Sequence, residues 1–275
     1  MSPPDMSPPG GLPGPSGAPA PAEPATTGGP ARTPRTAAVI PAAGRGVRLG
    51  PGAPKALRTL SGTPMLVHAV RAMAASRAVS LVVVVAPPDG AAEVKNLLDT
   101  HALPERTDYV VVPGGETRQE SVRLGLEALP RDVATVLVHD AARPLVPVDT
   151  VDAVVEAVRG GAPAVVPAVP LADTVKEVGP PAAPGGPEPV LSTPVRAALR
   201  AVQTPQGFDR DTLVRAHATV VFGGEGATDD AGMVERLGEP VVVVPGHEEA
   251  FKVTRPLDLV LAEAVLARRR ANDGF

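Results

Sequence analysis

Along the chain, short aliphatic runs alternate with stretches in which apolar residues recur every three to four positions. The runs are Ala37–Ile40, Leu81–Val85, Val110–Val112, Thr135–Val138, Ala164–Val169 and Val241–Val244. They are rich in Val and do not alternate apolar with polar residues, the pattern of strands buried on both faces. Between them the spacing predicts helices over Met65–Ala75, Ala91–Leu98, Thr117–Leu129, Asp149–Arg159, Asp209–His217, Thr228–Leu237 and Pro256–Arg269. Thr63-Pro64 offers the first of these an N-cap and a proline at the first helical position. Thr228 offers another N-cap, with Asp229 and Asp230 at the positive end of that helix. Alternation of strand and helix predicts βαβ units: an α/β fold with a mostly parallel sheet and helices on both faces. On such sheets ligands bind where the carboxyl ends of strands meet helix N-termini, so the loops after the strands are the places to look.

Two segments break the pattern. Residues 1–36 hold 11 of the 35 prolines and almost no large apolar side chain. A segment of that composition cannot offset its ordering entropy by burial, and is expected to be a disordered leader. It has no apolar core region of the kind a signal peptide carries. The remaining residues, 37–270, are then expected to form a single domain with a sizeable core. The second segment is Gly179–Pro189, read as a loop or the tip of an arm spanning about residues 170–200.

Composition narrows the function. The chain has 275 residues and no Cys, which excludes a disulfide scaffold, a Cys-based zinc site and a cysteine nucleophile. Aromatic residues make up 2%, and the formal net charge is −4. Neither suits a nucleic-acid binder, which needs stacking platforms or a basic face. The aliphatic run beginning at Leu81 ends at Pro87, far short of a membrane span. A cytoplasmic protein is expected.

The first strand runs into Pro41-Ala42-Ala43-Gly44-Arg45-Gly46-Val47-Arg48-Leu49-Gly50, followed by Pro54-Lys55. Gly and Ala allow backbone N–H groups to approach an anion closely. Arg45, Arg48 and Lys55 bring three cations to this loop, in a chain with four Lys against 22 Arg. A Walker A loop is excluded, since no Gly-Lys-Ser/Thr occurs, and a dinucleotide fingerprint misses its third Gly by one place. A loop with three cations and no acid suits a polyphosphate; a solvated surface turn is the other reading.

This loop resembles the signature of nucleotidyltransferases that join a nucleoside triphosphate to a sugar or polyol phosphate. The resemblance is closest to the 2-C-methyl-D-erythritol 4-phosphate cytidylyltransferase family of the non-mevalonate isoprenoid pathway, and it continues in order over about residues 36–270. Gly114-Gly115-Glu116-Thr117-Arg118-Gln119-Glu120-Ser121-Val122 is similar to the family's Gly-Gly-x-x-Arg-x-x-Ser-Val. His139-Asp140-Ala141-Ala142-Arg143-Pro144 is similar to its His-Asp-Ala-Ala-Arg-Pro. Thr228-Asp229-Asp230-Ala231 and Lys252-Val253-Thr254-Arg255-Pro256 are similar to its Thr-Asp-[Asp/Glu]-Ala and Lys-[Val/Ile]-Thr-x-Pro. Ala56 stands where the family has Gln.

The resemblance implies a Rossmann-like sheet with an extended β-arm that pairs two subunits in a homodimer. It implies transfer of CMP from CTP to 2-C-methyl-D-erythritol 4-phosphate, with Mg²⁺ as cofactor. Arg48, Lys55, Arg196 and Lys252 would be the catalytic cations. Pro41, Ala42, Ala43, Gly44, Gly115, Ser121, Asp140, Ala141, Arg143 and Thr204 would contact substrates, and Asp140 would also meet the metal. Arg196 and Thr204 would bind the polyol phosphate, reaching the other subunit's site. His139 is expected to be structural, because it points away from Asp140 along the strand. The attacking phosphate oxygen is already anionic, so no general base is required. Two alternatives stay open here: a cytidylyltransferase for another polyol phosphate such as ribitol 5-phosphate, and a non-catalytic regulator that binds nucleotide. A fused cyclase domain is not expected within this length.

Overall fold

The structure is a computed structural model and describes residues 1, 35–44, 54–219 and 229–273. In chain order, the elements begin with β1 (Arg35–Pro41), the two-residue pair β2 (Thr59–Leu60) and β3 (Thr63–Pro64), α1 (Met65–Ala75) and β4 (Val79–Ala86). They continue with α2 (Ala91–Asp99), β5 (Asp108–Pro113), α3 (Arg118–Glu127), β6 (Val133–Val138), α4 (Val148–Arg159) and β7 (Ala164–Pro170). Then follow β8 (Glu177–Val178), β9 (Val190–Ser192), β10 (Arg200–Val202), β11 (Gln206–Asp209), α5 (Arg210–Thr219), α6 (Asp230–Arg236), β12 (Val241–Pro245) and α7 (Pro256–Asp273).

All six aliphatic runs are strands of one sheet. β6, β1, β4 and β5 lie side by side and parallel. β12 runs parallel to β7 at the other edge. Between β6 and β7 a strand absent from the sequence reading is inserted antiparallel: β11 pairs with both. β10 precedes it along the same side of β7, with the Gln203 amide donating to the Pro167 carbonyl between them.

The Val-rich runs are explained by what lies on each face. Ala38, Ile40, Val82, Val84 and Leu137 point to the layer of α1, α2 and α4. Their neighbours Ala37, Val39, Val83, Val136 and Val138 point to the layer of α3, α5 and α6. Successive residues of a strand face opposite sides, so a strand covered on both must be apolar throughout. Burying each such side chain stabilises the fold by about 1.5–3 kcal/mol. α7 packs in a third cluster, where Ala262 and Val265 meet Leu60, Met65, Leu145 and Val253.

Two caps differ from expectation. Pro64 occupies the N-cap of α1 rather than its first turn, because Thr63 and Pro64 are paired with Leu60 and Thr59 as β3. Asp229, not Thr228, caps α6, its carboxylate accepting from the Gly232 amide; Thr228 lies outside the described residues. β8 and β9 form a separate two-stranded hairpin, closed by the Gly179 amide on the Pro189 carbonyl. Val178, Val190 and Leu191 on it are exposed.

Candidate active site

Three strand ends, the short segment at Lys55 and the later segment at Lys252 build a cleft of about 270 Å³. β1 delivers Pro41, Ala42, Ala43 and Gly44; the Ala42 amide donates to the Val85 carbonyl at 2.8 Å, carrying the β1–β4 pairing one residue further. β5 delivers Gly115 through Gly114, whose amide donates to the Ala86 carbonyl at 2.8 Å. A Cβ on Gly114 would lie 2.9 Å from that same carbonyl oxygen, so the chain turns here only because the residue is Gly. β6 delivers Asp140, Ala141 and Ala142, and Lys55 and Lys252 complete the wall.

The start of α3 is held by its own side chains. The Thr117 hydroxyl accepts from the Glu120 amide at 3.0 Å, while Glu120 accepts from the Glu116 amide at 2.9 Å. This resembles the capping box that Thr-x-x-Glu encodes, except that Glu120 takes the amide one residue before the Thr117 cap. The buried Ser121 hydroxyl donates to the Thr117 carbonyl and accepts from the Gly115 amide. Glu116, Thr117, Arg118 and Ser121 thereby line the cleft.

Asp140 is the electrostatic centre. Its carboxylate lies 2.8 Å from Lys252 Nζ, 3.4 Å from Arg118 Nε and 3.9 Å from Arg143 Nε. Burial alone would raise its pKa, but the charges of Arg118 and Lys252 outweigh burial and hold it well below the usual carboxylate range. Removing those cations would leave a nearly buried charge uncompensated.

The backbone at Asp140 is fixed by a chain of hydrogen bonds. The Asp140 amide donates to the Thr204 hydroxyl at 3.0 Å, which meets His139 Nδ1 at 3.0 Å. His139 Nε2 meets the Arg143 carbonyl at 3.1 Å. A carbonyl only accepts, so Nε2 carries the proton and Nδ1 accepts from Thr204. Burial pushes the His139 pKa down to about 4, which keeps the ring neutral.

Lys252 is placed by the loop before it. The Val253 amide donates to the Ala142 carbonyl at 2.8 Å, and Arg143 Nη1 donates to the Ala250 carbonyl at 2.7 Å. Arg269 of α7 pairs with Glu249 and donates to the Leu145 carbonyl.

The structure thus gathers Pro41, Ala42, Ala43, Gly44, Lys55, Gly115, Ser121, Asp140, Ala141 and Lys252 around one cleft. Three expected residues do not line the cleft. Arg143 donates through Nη1 and Nη2 to the Ala250 and Val202 carbonyls, with its Nε 3.9 Å from Asp140. Thr204 is buried with its hydroxyl in the chain to His139. Arg196 is exposed beyond the hairpin and donates to the Ala172 carbonyl. Arg48 lies outside the described residues.

Arg118 lines the cleft and was not among the expected site residues. A signal for it exists in the sequence: a cation at the first position of a helix sits at the unfavourable end of the dipole and needs carboxylates to hold it there.

The family model of 2-C-methyl-D-erythritol 4-phosphate cytidylyltransferase matches residues 36–268. The chain belongs to this family. It is 84% identical over 241 residues to the 2-C-methyl-D-erythritol 4-phosphate cytidylyltransferase of Streptomyces coelicolor, covering 88% of each chain. It is 83% identical over 241 residues to that of Streptomyces avermitilis, covering 88% of this chain and 95% of the relative. Among solved structures, the cytidylyltransferase from Thermus thermophilus is 37% identical with a TM-score of 0.63, over 83% of this chain and 97% of that one. The 4-diphosphocytidyl-2C-methyl-D-erythritol synthase from Anaerococcus prevotii is 26% identical with a TM-score of 0.71, over 85% and 98%. A cytidylyltransferase family is a nucleotidyltransferase family, which accords with a cationic cleft at strand ends.

Proposed function

We propose that this cleft seats CTP and 2-C-methyl-D-erythritol 4-phosphate and runs the family's reaction by cation-assisted in-line transfer. The observation that carries the reading is the convergence of Lys55, Lys252, Asp140 and Gly115 from separate segments onto one cleft. An oxygen of the substrate phosphate forms a bond to the α-phosphorus of CTP. The bond from that phosphorus to the bridging oxygen of the β-phosphate breaks, and pyrophosphate leaves with the electron pair. The products are 4-diphosphocytidyl-2-C-methyl-D-erythritol and pyrophosphate.

Attack brings two anions together and moves charge onto the leaving group, so the protein must supply fixed cations and alignment. Lys55 and Arg48 are assigned to the triphosphate. Lys252, with Arg196, is assigned to the attacking phosphate. The nucleophile carries no proton to remove, and the one buried histidine next to the cleft, His139, has both ring nitrogens engaged. Gly115 and Ser121 are assigned to the base and ribose.

Mg²⁺ is the expected cofactor. Among the described residues no group of three or more His, Cys, Asp or Glu is arranged to hold a metal by itself. The cleft offers the ionised carboxylate of Asp140, with Glu116 also on its lining, and that donor set fits a hard cation taking its other ligands from phosphates and water. Bound there, Mg²⁺ would neutralise triphosphate charge.

Exposed Val178, Val190 and Leu191 on a two-stranded hairpin support a homodimer, since so small a sheet is marginal without a packing partner. In that dimer Arg196, Thr204 and Arg143 would act as the resemblance implies, Arg196 from across the interface. The domain expected over residues 37–270 is the catalytic domain in this reading, with its first strand beginning at Arg35, two residues inside the expected leader of residues 1–36. No helix of the described residues is long and apolar enough to cross a membrane, and a cytoplasmic location is proposed.

Pyrophosphate release with CTP and Mg²⁺ against a panel of polyol phosphates tests the reading. Release is expected with 2-C-methyl-D-erythritol 4-phosphate. Faster release with ribitol 5-phosphate would overturn the substrate, and CTP binding without any release would favour a regulator.

A further inference from the structure

Asp230 is fully buried at the first position of α6, and no step of the transfer uses it. A carboxylate taken out of water must be compensated. Its partners come from two other helices: His217 Nε2 of α5 lies 3.1 Å from one oxygen, and Arg118 Nη1 of α3 lies 2.8 Å from the other. Burial would raise the Asp230 pKa, but the hydrogen bond from His217 and the charge of Arg118 outweigh it, so the group is ionised. Arg118 then turns its Nε to within 3.4 Å of Asp140 and lines the cleft. A row of side chains, His217–Asp230–Arg118–Asp140, therefore leads from the contact of α5 with α6 to the carboxylate that holds Lys252.

Geometry gives the row a purpose. An arginine side chain has many rotamers, and ordering it has an entropic cost. Its guanidinium is a rigid fork, so fixing one nitrogen restricts where the others point. Asp230 fixes Nη1 from a site with no freedom of its own. Without it, Arg118 would be free to close on Asp140 alone and compete with Lys252 for that carboxylate.

We propose that Asp230 is a positioning residue for cytidylyl transfer, acting through Arg118 to set how Asp140 divides its charge between Arg118 and Lys252. This rests on the cleft being the site of transfer. A merely structural Asp230 would hold α6 to α5 through His217, and its loss would lower stability whatever stood at position 118.

A double-mutant cycle separates the two. Asp230→Asn, Arg118→Gln and the double variant of the full chain are compared with wild type in kcat/KM for CTP and in thermal midpoint. Calorimetric CTP affinity is read in parallel, so that a cleft binding CTP without turnover is told apart from a cycle without coupling. Asp230→Asn is expected to lower kcat/KM about tenfold alone and to change it less than about twofold when Arg118→Gln is present. Losses that multiply in the double variant, or a folded Asp230→Asn with wild-type kcat/KM and CTP affinity, would overturn the proposal. If Asp230→Asn does not fold, Asp230→Glu, which keeps the charge and displaces it, enters the same cycle and is read by the same criterion.

Discussion

The hydroxyl of Thr204 donates to Nδ1 of His139 at 3.0 Å and in the same place accepts the Asp140 amide at 3.0 Å. One buried oxygen thus ties the strand that carries the central carboxylate to the segment joining β10 and β11. Thr204→Val keeps the shape and removes both bonds, leaving the Asp140 amide and His139 unsatisfied. The expected loss is about 1–3 kcal/mol in urea unfolding, with Thr204→Ser losing less because it keeps the hydroxyl. If Thr204 instead serves the polyol phosphate alone, Thr204→Val will raise KM for that substrate and leave unfolding unchanged.

His139 makes stability depend on pH. Free histidine titrates near 6.5 and this one near 4, because burial penalises the charged ring. Between those values the unfolded chain binds a proton that the folded chain refuses, so stability falls as pH falls from about 6.5 to about 4. Below that the contribution is constant. The full effect is about 3 kcal/mol at most. Unfolding free energies of wild type and His139→Gln across this window are expected to diverge toward high pH, with the wild type having the steeper slope. Parallel slopes would show that His139 does not set this pH dependence.

Gly207 marks where α4 lies against β11. A Cβ there would come 2.4 Å from Val154 Cγ1 and 3.0 Å from Val158 Cγ2. Gly207→Ala is expected to destabilise the protein by about 1–3 kcal/mol, read as a lowered urea midpoint with an unchanged slope. Gly207→Ala together with Val154→Ala, which makes room, should recover part of the loss.

What could be read in the sequence, and what could not, follows from these contacts. The parallel strands were legible because a strand covered on both faces must be apolar at every position, and Val83 and Val84 do serve opposite helix layers. β11 was not, because Gln206-Gly207-Phe208-Asp209 contains no aliphatic run. It is a strand because Phe208 fills the core and Gly207 admits α4. The cleft's glycines and lysines stood out by residue type alone. Arg118 showed only as a cation at a helix start; the carboxylates that hold it come from β6 and α6, and only the fold brings them to α3. Asp229 and Thr228 were indistinguishable as caps from type alone, and the carboxylate of Asp229 took the Gly232 amide.

In the proposed mechanism fixed cations, with no general base, carry the transfer. Lys252 lies 2.8 Å from Asp140 on a loop held by Arg143 and Arg269. The most direct measurement is kcat of Lys252→Ala, with CTP, Mg²⁺ and 2-C-methyl-D-erythritol 4-phosphate all saturating. A fall of about a hundredfold to a thousandfold is predicted, by analogy with loss of one oxyanion donor. A kcat within about twofold of wild type would show that Lys252 does not carry the transfer.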